Sequence, residues 1–298
     1  MSTAVPRLPD HQLAALGGAY AEAVSAKRRQ IIVGLVLFVG AFLVAGLVAE
    51  VRPATFFTNL WRFTDYLGRI FTLEQGPAAG RFVLFDVVEW MWGFDKWIRL
   101  LWETLLIAYV GTLTGAIGGF IFCFLSARNL APSSTIGFLA KRWLEFCRTV
   151  PEIVFALIFV VAFGLGPVPG VLAIAIHTFG ALGKQFAEVA ENIDMKPVDG
   201  LTATGATWWQ TMRFAVVPQV LSNFASYALL RFEVNVRGAA VMGFVGAGGI
   251  GQDLVEAIRK FYYSDVSAIL VLIIATVMVI DLATERLRHH LIGIESRS

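Results

Sequence analysis

The chain has 298 residues, of which 57% are hydrophobic and 15% are charged, and its formal net charge is +2. Its mean hydropathy of +0.70 leaves too little polar surface to cover a soluble domain of this length. The composition therefore excludes an ordinary soluble protein and predicts an all-α integral membrane protein. The small net charge says nothing about partners, and we expect none of them to be a nucleic acid.

The first membrane span is predicted at residues 31–49, which carry no charge. Roughly 20 apolar residues in a helix cross a hydrocarbon core of about 30 Å. This apolar run is longer than that of a secretory signal and follows a long polar leader, so we interpret it as an uncleaved anchor. Residues 104–127 are also uncharged and predict the second span.

The segment between these two spans mixes both signs of charge and indicates no preferred side of the membrane. Apolar residues recur in it at intervals of three and four: Phe56, Leu60, Phe63, Leu67 and Ile70. This spacing is typical of an amphipathic helix that lies on the membrane surface.

Residues 144–190 contain an uncharged stretch that would suit one long span or two short ones. The sequence GPVPG at 166–170 favours two, because paired prolines break a helix and glycines supply a tight turn. Each span must then extend into a more polar flanking segment to be long enough, namely Leu144–Glu152 on one side and Lys184–Ala190 on the other. Further spans are predicted to start near Val216 and near Asp265, which gives about six in all.

Basic residues near the ends of spans stay on the cytoplasmic side. With six spans one side receives all the basic clusters: Lys27, Arg28 and Arg29; Arg128, Lys141 and Arg142; Lys196 and Arg213; Arg286 and Arg288. We therefore predict that both termini are cytoplasmic. Cys123 and Cys147 fall near the cytoplasmic ends of helices, where disulfides are not expected, so we interpret them as packing residues.

The loop between the fourth and fifth spans contains DGLTATGATWWQTMRFAVVPQ, residues 199–219. We expect Gly205 to form a turn at positive φ between two short helices. Pro218 suits the first turn of a helix, where its missing N–H costs nothing. Trp208, Trp209 and Met212 offer a compact apolar surface that could enter a groove on a soluble partner. Alternatively, the two tryptophans only lie at the membrane interface.

Residues 246–251, GAGGIG, match the dinucleotide-binding fingerprint letter for letter. They follow no predicted strand and belong to no βαβ unit, so we interpret them as a flexible, closely packed segment near the outer end of the fifth span. The sequence GxxxxGK[ST] is absent from the chain. ATP hydrolysis by that machinery would therefore need a separate subunit, and we predict no catalytic residues here.

Charges inside the membrane are costly unless they are paired or face water. Glu233 and Arg237 are four residues apart on one helix face, which suits an internal ion pair. A second interpretation is that Arg231 or Arg237 faces a pathway for an anion. Lys184 and Glu188 have the same spacing, and we assign them a structural or coupling role. His177 stands alone in an apolar span, so we expect a hydrogen-bonded packing histidine and no metal site.

The 199–219 stretch resembles the cytoplasmic EAA loop of ABC-importer permeases, with Asp199 at the acidic position, Gly205 at the glycine and Pro218 at the proline. It departs from that pattern in Asp for Glu, in Gly200–Leu201 for an alanine pair, and in Ala215 for a larger aliphatic residue. Residues 148–194 and 243–254 are similar to the permease subunit of phosphonate importers. The likeness runs from about Trp97 to the C-terminus.

The resemblance implies a type I ABC-importer permease in the plasma (inner) membrane. It implies a separate ATPase that uses ATP and Mg, an extracytoplasmic solute-binding protein and a second permease copy, with no cofactor bound by this chain. The solute implied is a phosphorus oxyanion, namely a phosphonate, phosphate or phosphite. The coupling loop is expected to span residues 195–218 and to contact the ATPase through Asp199, Gly205, Trp208, Trp209, Met212 and Pro218.

On this interpretation the chain divides into four parts: a cytoplasmic segment 1–29, a first span with the outer amphipathic segment 30–97, a core permease domain 98–290, and a cytoplasmic tail 291–298. Three alternatives remain open: a permease for methionine or another small polar solute, a self-sufficient secondary transporter, and a membrane-embedded enzyme. A secondary transporter is expected to show broken helices in repeated halves. An enzyme is expected to show a metal cluster or a nucleophile–base pair.

Overall fold

The computed structural model describes residues 10–74 and 76–295, and that part of the chain is helical throughout, with turns and no β-strand. The chain divides into two compact units, residues 1–65 and 66–298. This agrees with the prediction of an all-α protein. The predicted tail, 291–298, lies partly outside the described residues, as do the first nine residues of the N-terminal segment.

The first unit contains a long helix, α1 (Asp10–Val48), a short helix, α2 (Pro53–Thr58), and the start of α3 (Leu60–Ile70). The apolar part of α1, Gly17–Val48, is a continuous helix long enough to cross a membrane, and it contains the span predicted at 31–49 as far as Val48. Pro53 opens α2, where its missing N–H leaves no helical bond unmade. The predicted amphipathic helix is found over α3, but Phe56 belongs to the separate α2.

The second unit continues the helical chain. Its helices are α4 (Val87–Trp90), α5 (Phe94–Ser126), α6 (Ser134–Thr149), α7 (Glu152–Phe163), α8 (Pro167–Glu191), α9 (Lys196–Ala203), α10 (Trp208–Thr211), α11 (Val217–Met242), α12 (Ile250–Arg259) and α13 (Tyr263–Glu295). A π-helical turn, Met212–Val216, joins α10 to α11, and a 3₁₀ turn, Gly243–Val245, follows α11.

Helices α5 and α8 pack with their backbones in close contact. Gly111, Gly115 and Gly119 form a stripe on α5 at four-residue spacing, which allows close approach of membrane helices. A Cβ atom at Gly115 would lie 2.6 Å from the carbonyl oxygen of Ala175, and one at Gly119 would lie 2.9 Å from the backbone nitrogen of Gly183. Any larger side chain on this stripe would therefore force the two helices apart.

The predicted break of the region 144–190 at the GPVPG sequence is confirmed. Helix α7 ends at Phe163 and α8 begins at Pro167, with Gly164 and Gly166 at φ 87° and 138° between them. The third span, however, does not extend straight back to Leu144 as predicted. Helices α6 and α7 meet at an angle of 83° around Val150 and Pro151. Pro151 lacks the N–H and clashes with the preceding turn, so the helix breaks there.

Three described helices, α1, α5 and α13, have the length and apolarity to cross a membrane alone. Two bent pairs qualify when each is taken together: α6 with α7, and α10–α11 with α12, which meet at 47°. Helix α8 has 25 residues, but its last third carries Lys184, Glu188 and Glu191. The count of six spans therefore stays a prediction that needs α8 as one of them.

Candidate functional site

The segment predicted to couple to a partner, residues 195–218, folds as two short helices joined by a turn. Helix α9 ends at Ala203, Gly205 follows with φ +83°, and α10 begins at Trp208. The predicted turn at Gly205 is confirmed, because this backbone conformation favours glycine. Pro218 lies in the first turn of α11, also as predicted.

A capping box begins α10. The Thr207 side chain faces the third residue of the helix, and the Gln210 Oε1 accepts a hydrogen bond from the Thr207 backbone N–H at 2.8 Å. This arrangement satisfies N–H groups that a helix start leaves unpaired. The turn after Gly205 is therefore held by its own residues.

The two tryptophans of this segment have different surroundings. The Trp208 Nε1 donates a hydrogen bond to the carbonyl oxygen of Leu130 at 2.7 Å, and the ring packs against a buried apolar cluster. Trp209 is 68% exposed and contacts Trp208 edge to face at 4.6 Å between ring centroids. Trp209 is therefore the side chain that a partner could contact, and Trp208 fixes its position.

The prediction that Met212 forms part of an exposed apolar surface is wrong. Its side chain is 4% exposed and packs in the cluster that also contains Val216 and Phe224. The π-helical turn at Met212–Val216 rotates this side chain inward. Met212 therefore anchors the 195–218 segment to the buried apolar cluster that contains Val216 and Phe224.

Asp199 lies in the first turn of α9 and is exposed. A carboxylate in the first turn of a helix is stabilised by the helix dipole. Within the described residues its side chain forms no hydrogen bond or salt bridge, so its charge is free to meet a partner.

Arg237 is paired by two carboxylates. Its Nη2 lies 2.5 Å from the Glu233 Oε1 and 2.9 Å from the Asp281 Oδ2. The predicted pair with Glu233 is confirmed, and Asp281, which comes from α13, was missed by the sequence analysis. No spacing rule could have found it, because it lies 44 residues further along the chain. The cluster carries one more negative than positive charge, so it repels an anion.

Arg231 has a different environment on another face of α11. Its Nε is buried and has no hydrogen-bond partner, and within the described residues no salt bridge reaches it. The carboxylate of Glu152, at the start of α7, acts electrostatically on Arg231. A charged side chain inside a membrane protein is costly unless it is paired or faces water, and such residues mark functional positions.

Asn235 lies one turn beyond Arg231 and is fully buried. Its Nδ2 donates hydrogen bonds to Thr112 and Thr178, both at 2.8 Å, so it ties α11 to α5 and α8. Its Oδ1 is buried with no partner. Arg231 and Asn235 therefore form a polar line on one face of α11, and its Asn235 end lies in the centre of the helix bundle.

His177 is hydrogen-bonded, as predicted. Its Nδ1 lies 3.1 Å from the carbonyl oxygen of Val150. Since a carbonyl can only accept, the Nδ1 carries the proton. The histidine thus satisfies a backbone group at the break between α6 and α7. Lys184 and Glu188 lie 3.8 Å apart on α8, which confirms the predicted contact.

The GAGGIG segment supports the packing interpretation. Gly246, Gly248 and Gly249 all have positive φ, near 80°. The N–H groups of Gly249 and Ile250 donate to Glu103 and Thr104 on α5, at 3.2 and 2.9 Å. These N–H groups are therefore used within the protein, and no strand precedes them in the described chain.

Comparison with known proteins identifies the family. A model of the family described as "Binding-protein-dependent transport system inner membrane component" matches residues 119–292. The chain belongs to this family of importer permeases. That membership favours the importer permease over the secondary transporter and the membrane enzyme considered above.

Several curated relatives are similar to this chain in sequence. A phosphite transport system permease protein of Stutzerimonas stutzeri is 42% identical over 198 residues, which are 66% of this chain and 72% of the relative. A phosphate-import permease protein of Mycolicibacterium smegmatis is 39% identical over 62% of this chain but only 35% of the relative. A putative cryptic phosphonate transport system permease protein of Escherichia coli K12 is 50% identical over 41% of this chain and 99% of the relative.

Solved structures share the fold. An inward-facing MetNI methionine ABC transporter matches with a TM-score of 0.57 at 20% identity, over 69% of this chain and 98% of that chain. A bacterial ABC transporter that imports alginate matches with a TM-score of 0.56 at 14% identity, over 82% of this chain and 95% of that chain. The predicted ABC-importer permease fold is therefore confirmed.

Proposed function

We propose that this permease carries a phosphorus oxyanion, such as a phosphonate, phosphate or phosphite, and that Arg231 lies on its pathway. The observation that carries the proposal is a half-buried arginine whose Nε is buried without a partner and whose side chain forms no hydrogen bond or salt bridge among the described residues. A guanidinium offers five N–H donors in a planar fork that matches pairs of phosphoryl oxygens. The names of the relatives, which transport phosphite, phosphate and phosphonate, favour the same class of solute.

Arg237 is the weaker candidate for this role. Glu233 and Asp281 occupy its donors at 2.5 and 2.9 Å, and the group as a whole is negative. A negative group raises the energy of an anion beside it. We therefore assign the Glu233–Arg237–Asp281 group to holding α11 against α13. The likeness to the methionine transporter is at the level of fold, so it does not favour methionine as the solute.

The transport cycle needs partners that this chain does not contain. We propose that a separate ATPase, which uses ATP and Mg, binds the 195–218 segment through Trp209 and Asp199. A solute-binding protein would deliver the anion on the opposite side, and a second copy of this chain would complete the pathway. In this arrangement the chain itself is a transport subunit with no cofactor and no catalytic residue.

The proposed orientation puts both termini and the 195–218 segment in the cytoplasm. The basic clusters at Arg28, Arg213 and Arg286 then share one side, which is the usual distribution of Lys and Arg around membrane spans.

The test is uptake by proteoliposomes that contain the permease, its ATPase and its binding protein. Labelled phosphate, phosphite and methylphosphonate are offered to wild type, to Arg231→Gln and to a control, Arg286→Gln, which removes an exposed arginine near the end of α13. We expect uptake of at least one of these anions by wild type and the control, and a loss of about tenfold or more in Arg231→Gln. Undiminished uptake by Arg231→Gln would contradict the assignment of Arg231.

Co-purification provides the test of the partner. An ATPase subunit expressed from the same cells should be recovered with the tagged permease at near one-to-one stoichiometry, and the permease alone should hydrolyse no ATP. Hydrolysis by the permease alone would overturn its assignment as a transport subunit.

A further inference from the structure

Glu152 holds an unusual position at the break between α6 and α7. It is the first residue of α7, directly after the N-cap residue Pro151. Among the described residues its side chain forms no hydrogen bond or salt bridge. Its carboxylate lies against α11 at Gly238, where an added Cβ would approach the Glu152 Oε1 to 2.5 Å. The missing side chain at Gly238 therefore makes the space that the carboxylate occupies.

Arg231 lies on the same face of α11 as Gly238, seven residues or about two turns earlier. The charges of Glu152 and Arg231 act on each other, yet the two side chains form no salt bridge. The carboxylate thus offsets part of the charge of the guanidinium and leaves its N–H donors unoccupied. Arg237 shows the contrasting arrangement, since its carboxylates bond to it directly.

The difference matters for an ion that must pass. A bare guanidinium in a low-dielectric interior would hold a phosphoryl anion strongly, because charge-assisted bidentate hydrogen bonds are among the strong ones. A permeant ion must also leave, so its binding on the way has to be weak. A nearby carboxylate that does not block the donors would weaken the hold without closing the site.

We propose that Glu152 is an internal counter-ion that limits how tightly Arg231 holds a passing phosphoryl anion. This inference rests on the proposed function. Its competitor is a purely local role, in which the carboxylate only stabilises the N-terminus of α7 through the helix dipole. The two roles differ in one observable: the counter-ion sets the affinity for the anion, while the local role affects only stability.

The experiment measures anion binding to the purified permease–ATPase complex without the solute-binding protein. Isothermal titration with inorganic phosphate and with methylphosphonate is carried out on wild type and Glu152→Gln, which keeps the shape of the side chain and removes its charge. We expect Glu152→Gln to bind phosphate about tenfold more tightly, or about 1.4 kcal/mol at 25 °C, and to transport it more slowly once the binding protein is added.

Two further variants separate the outcomes. Asp281→Asn, which removes a carboxylate from the Arg237 group and leaves a neutral pair, should bind phosphate as wild type does. The double variant Glu152→Gln/Arg231→Gln should lose the gain in affinity. Unchanged affinity in Glu152→Gln together with a lower melting temperature would overturn the counter-ion and support the local role. A gain in affinity that persists in the double variant would overturn it as well.

Glu152→Asp replaces Glu152→Gln in the phosphate-binding measurement if the glutamine variant does not accumulate in the membrane. It keeps the charge but withdraws the carboxylate by one methylene from α11, so it should bind phosphate about two- to threefold more tightly, and no gain would overturn the proposal. Failure of the proposed function is read separately. Normal uptake of all three anions by Arg231→Gln would remove Arg231 from the pathway whatever Glu152 does.

Discussion

Gly205→Val tests whether the shape of the 195–218 segment matters for binding to the ATPase. Gly205 has φ +83°, and no atom lies within 4 Å of the Cβ that a side chain would add. The cost of the substitution therefore comes from the backbone alone and not from a clash. A residue with a Cβ in this conformation loses about 1–2 kcal/mol, and a β-branched one loses no less. That energy reduces the ratio of the native turn to its alternative conformations by a factor of about 5 to 30.

Gly200 provides a matched control. It also has open space around its added Cβ, but it lies inside α9 with ordinary helical φ. Valine is a slightly better helix residue than glycine, so Gly200→Val should leave the segment intact. Gly205→Asn is a second control, because asparagine tolerates the left-handed conformation better than other residues.

The assay is the affinity of the ATPase for the permease in detergent, together with ATP hydrolysis stimulated by the loaded binding protein. We expect Gly205→Val to bind the ATPase more weakly, by at most about 30-fold, Gly205→Asn to lose much less, and Gly200→Val to match wild type. Equal losses in Gly200→Val and Gly205→Val would refute the reasoning, because only the backbone angle distinguishes the two sites. Wild-type binding and stimulation by Gly205→Val would refute the role of the turn.

Three further outcomes are expected. Arg237→Gln leaves the carboxylates of Glu233 and Asp281 without a cation, so this variant should accumulate less in the membrane, as measured by immunoblots of membranes. Neutralising both carboxylates as well should restore the accumulation, and normal accumulation of the single variant would count against the structural role of the group. Asn235→Ala removes two buried hydrogen bonds, and its cost of about 1–3 kcal/mol should lower the melting temperature, whereas the exposed Asn223→Ala on the same helix should not. Single cysteines are introduced into a background without Cys123 and Cys147 and treated with an impermeant thiol reagent in intact cells. Those at Arg28, Gly205 and Arg288 should be protected, and one at Glu74 should react. Labelling at Gly205 from outside would contradict the proposed orientation.

The sequence was sufficient for the helices that are uniformly apolar and for the local turn chemistry. The span predicted at 104–127 matches α5 to within one residue at its end, Ser126, but α5 begins ten residues earlier, at Phe94. Its first turns carry Lys96 and Glu103, which read as loop in a hydropathy pattern. In the folded chain Lys96 forms a salt bridge with Asp253 at 2.6 Å, and Glu103 accepts a hydrogen bond from Gly249. Contacts with distant residues thus extend the helix beyond its apolar part.

Other features had a signal in the sequence that was not used. Pro151 marked the break between α6 and α7, and the spacing of Gly111, Gly115 and Gly119 marked the contact between α5 and α8. The surroundings of Arg231 and Arg237 had no such signal. Both are arginines on one helix, and their difference depends on Glu152 and Asp281, which come from other helices. Spacing along a chain cannot tell which charges meet across a bundle.

The glycine contact between α5 and α8 restricts how this protein can change shape. Two helices whose backbones touch cannot slide or rotate against each other without opening the contact, since at Gly115 and Gly119 backbone lies against backbone. A force applied to α9, which follows α8, would therefore tilt α5 and α8 together as one rigid body. Movement that opens or closes a passage is therefore expected at the break at Pro151, where α6 meets α7 at 83°. Arg231, which is proposed to meet the solute, lies on α11, and Asn235 joins that helix to the rigid pair through Thr112 and Thr178.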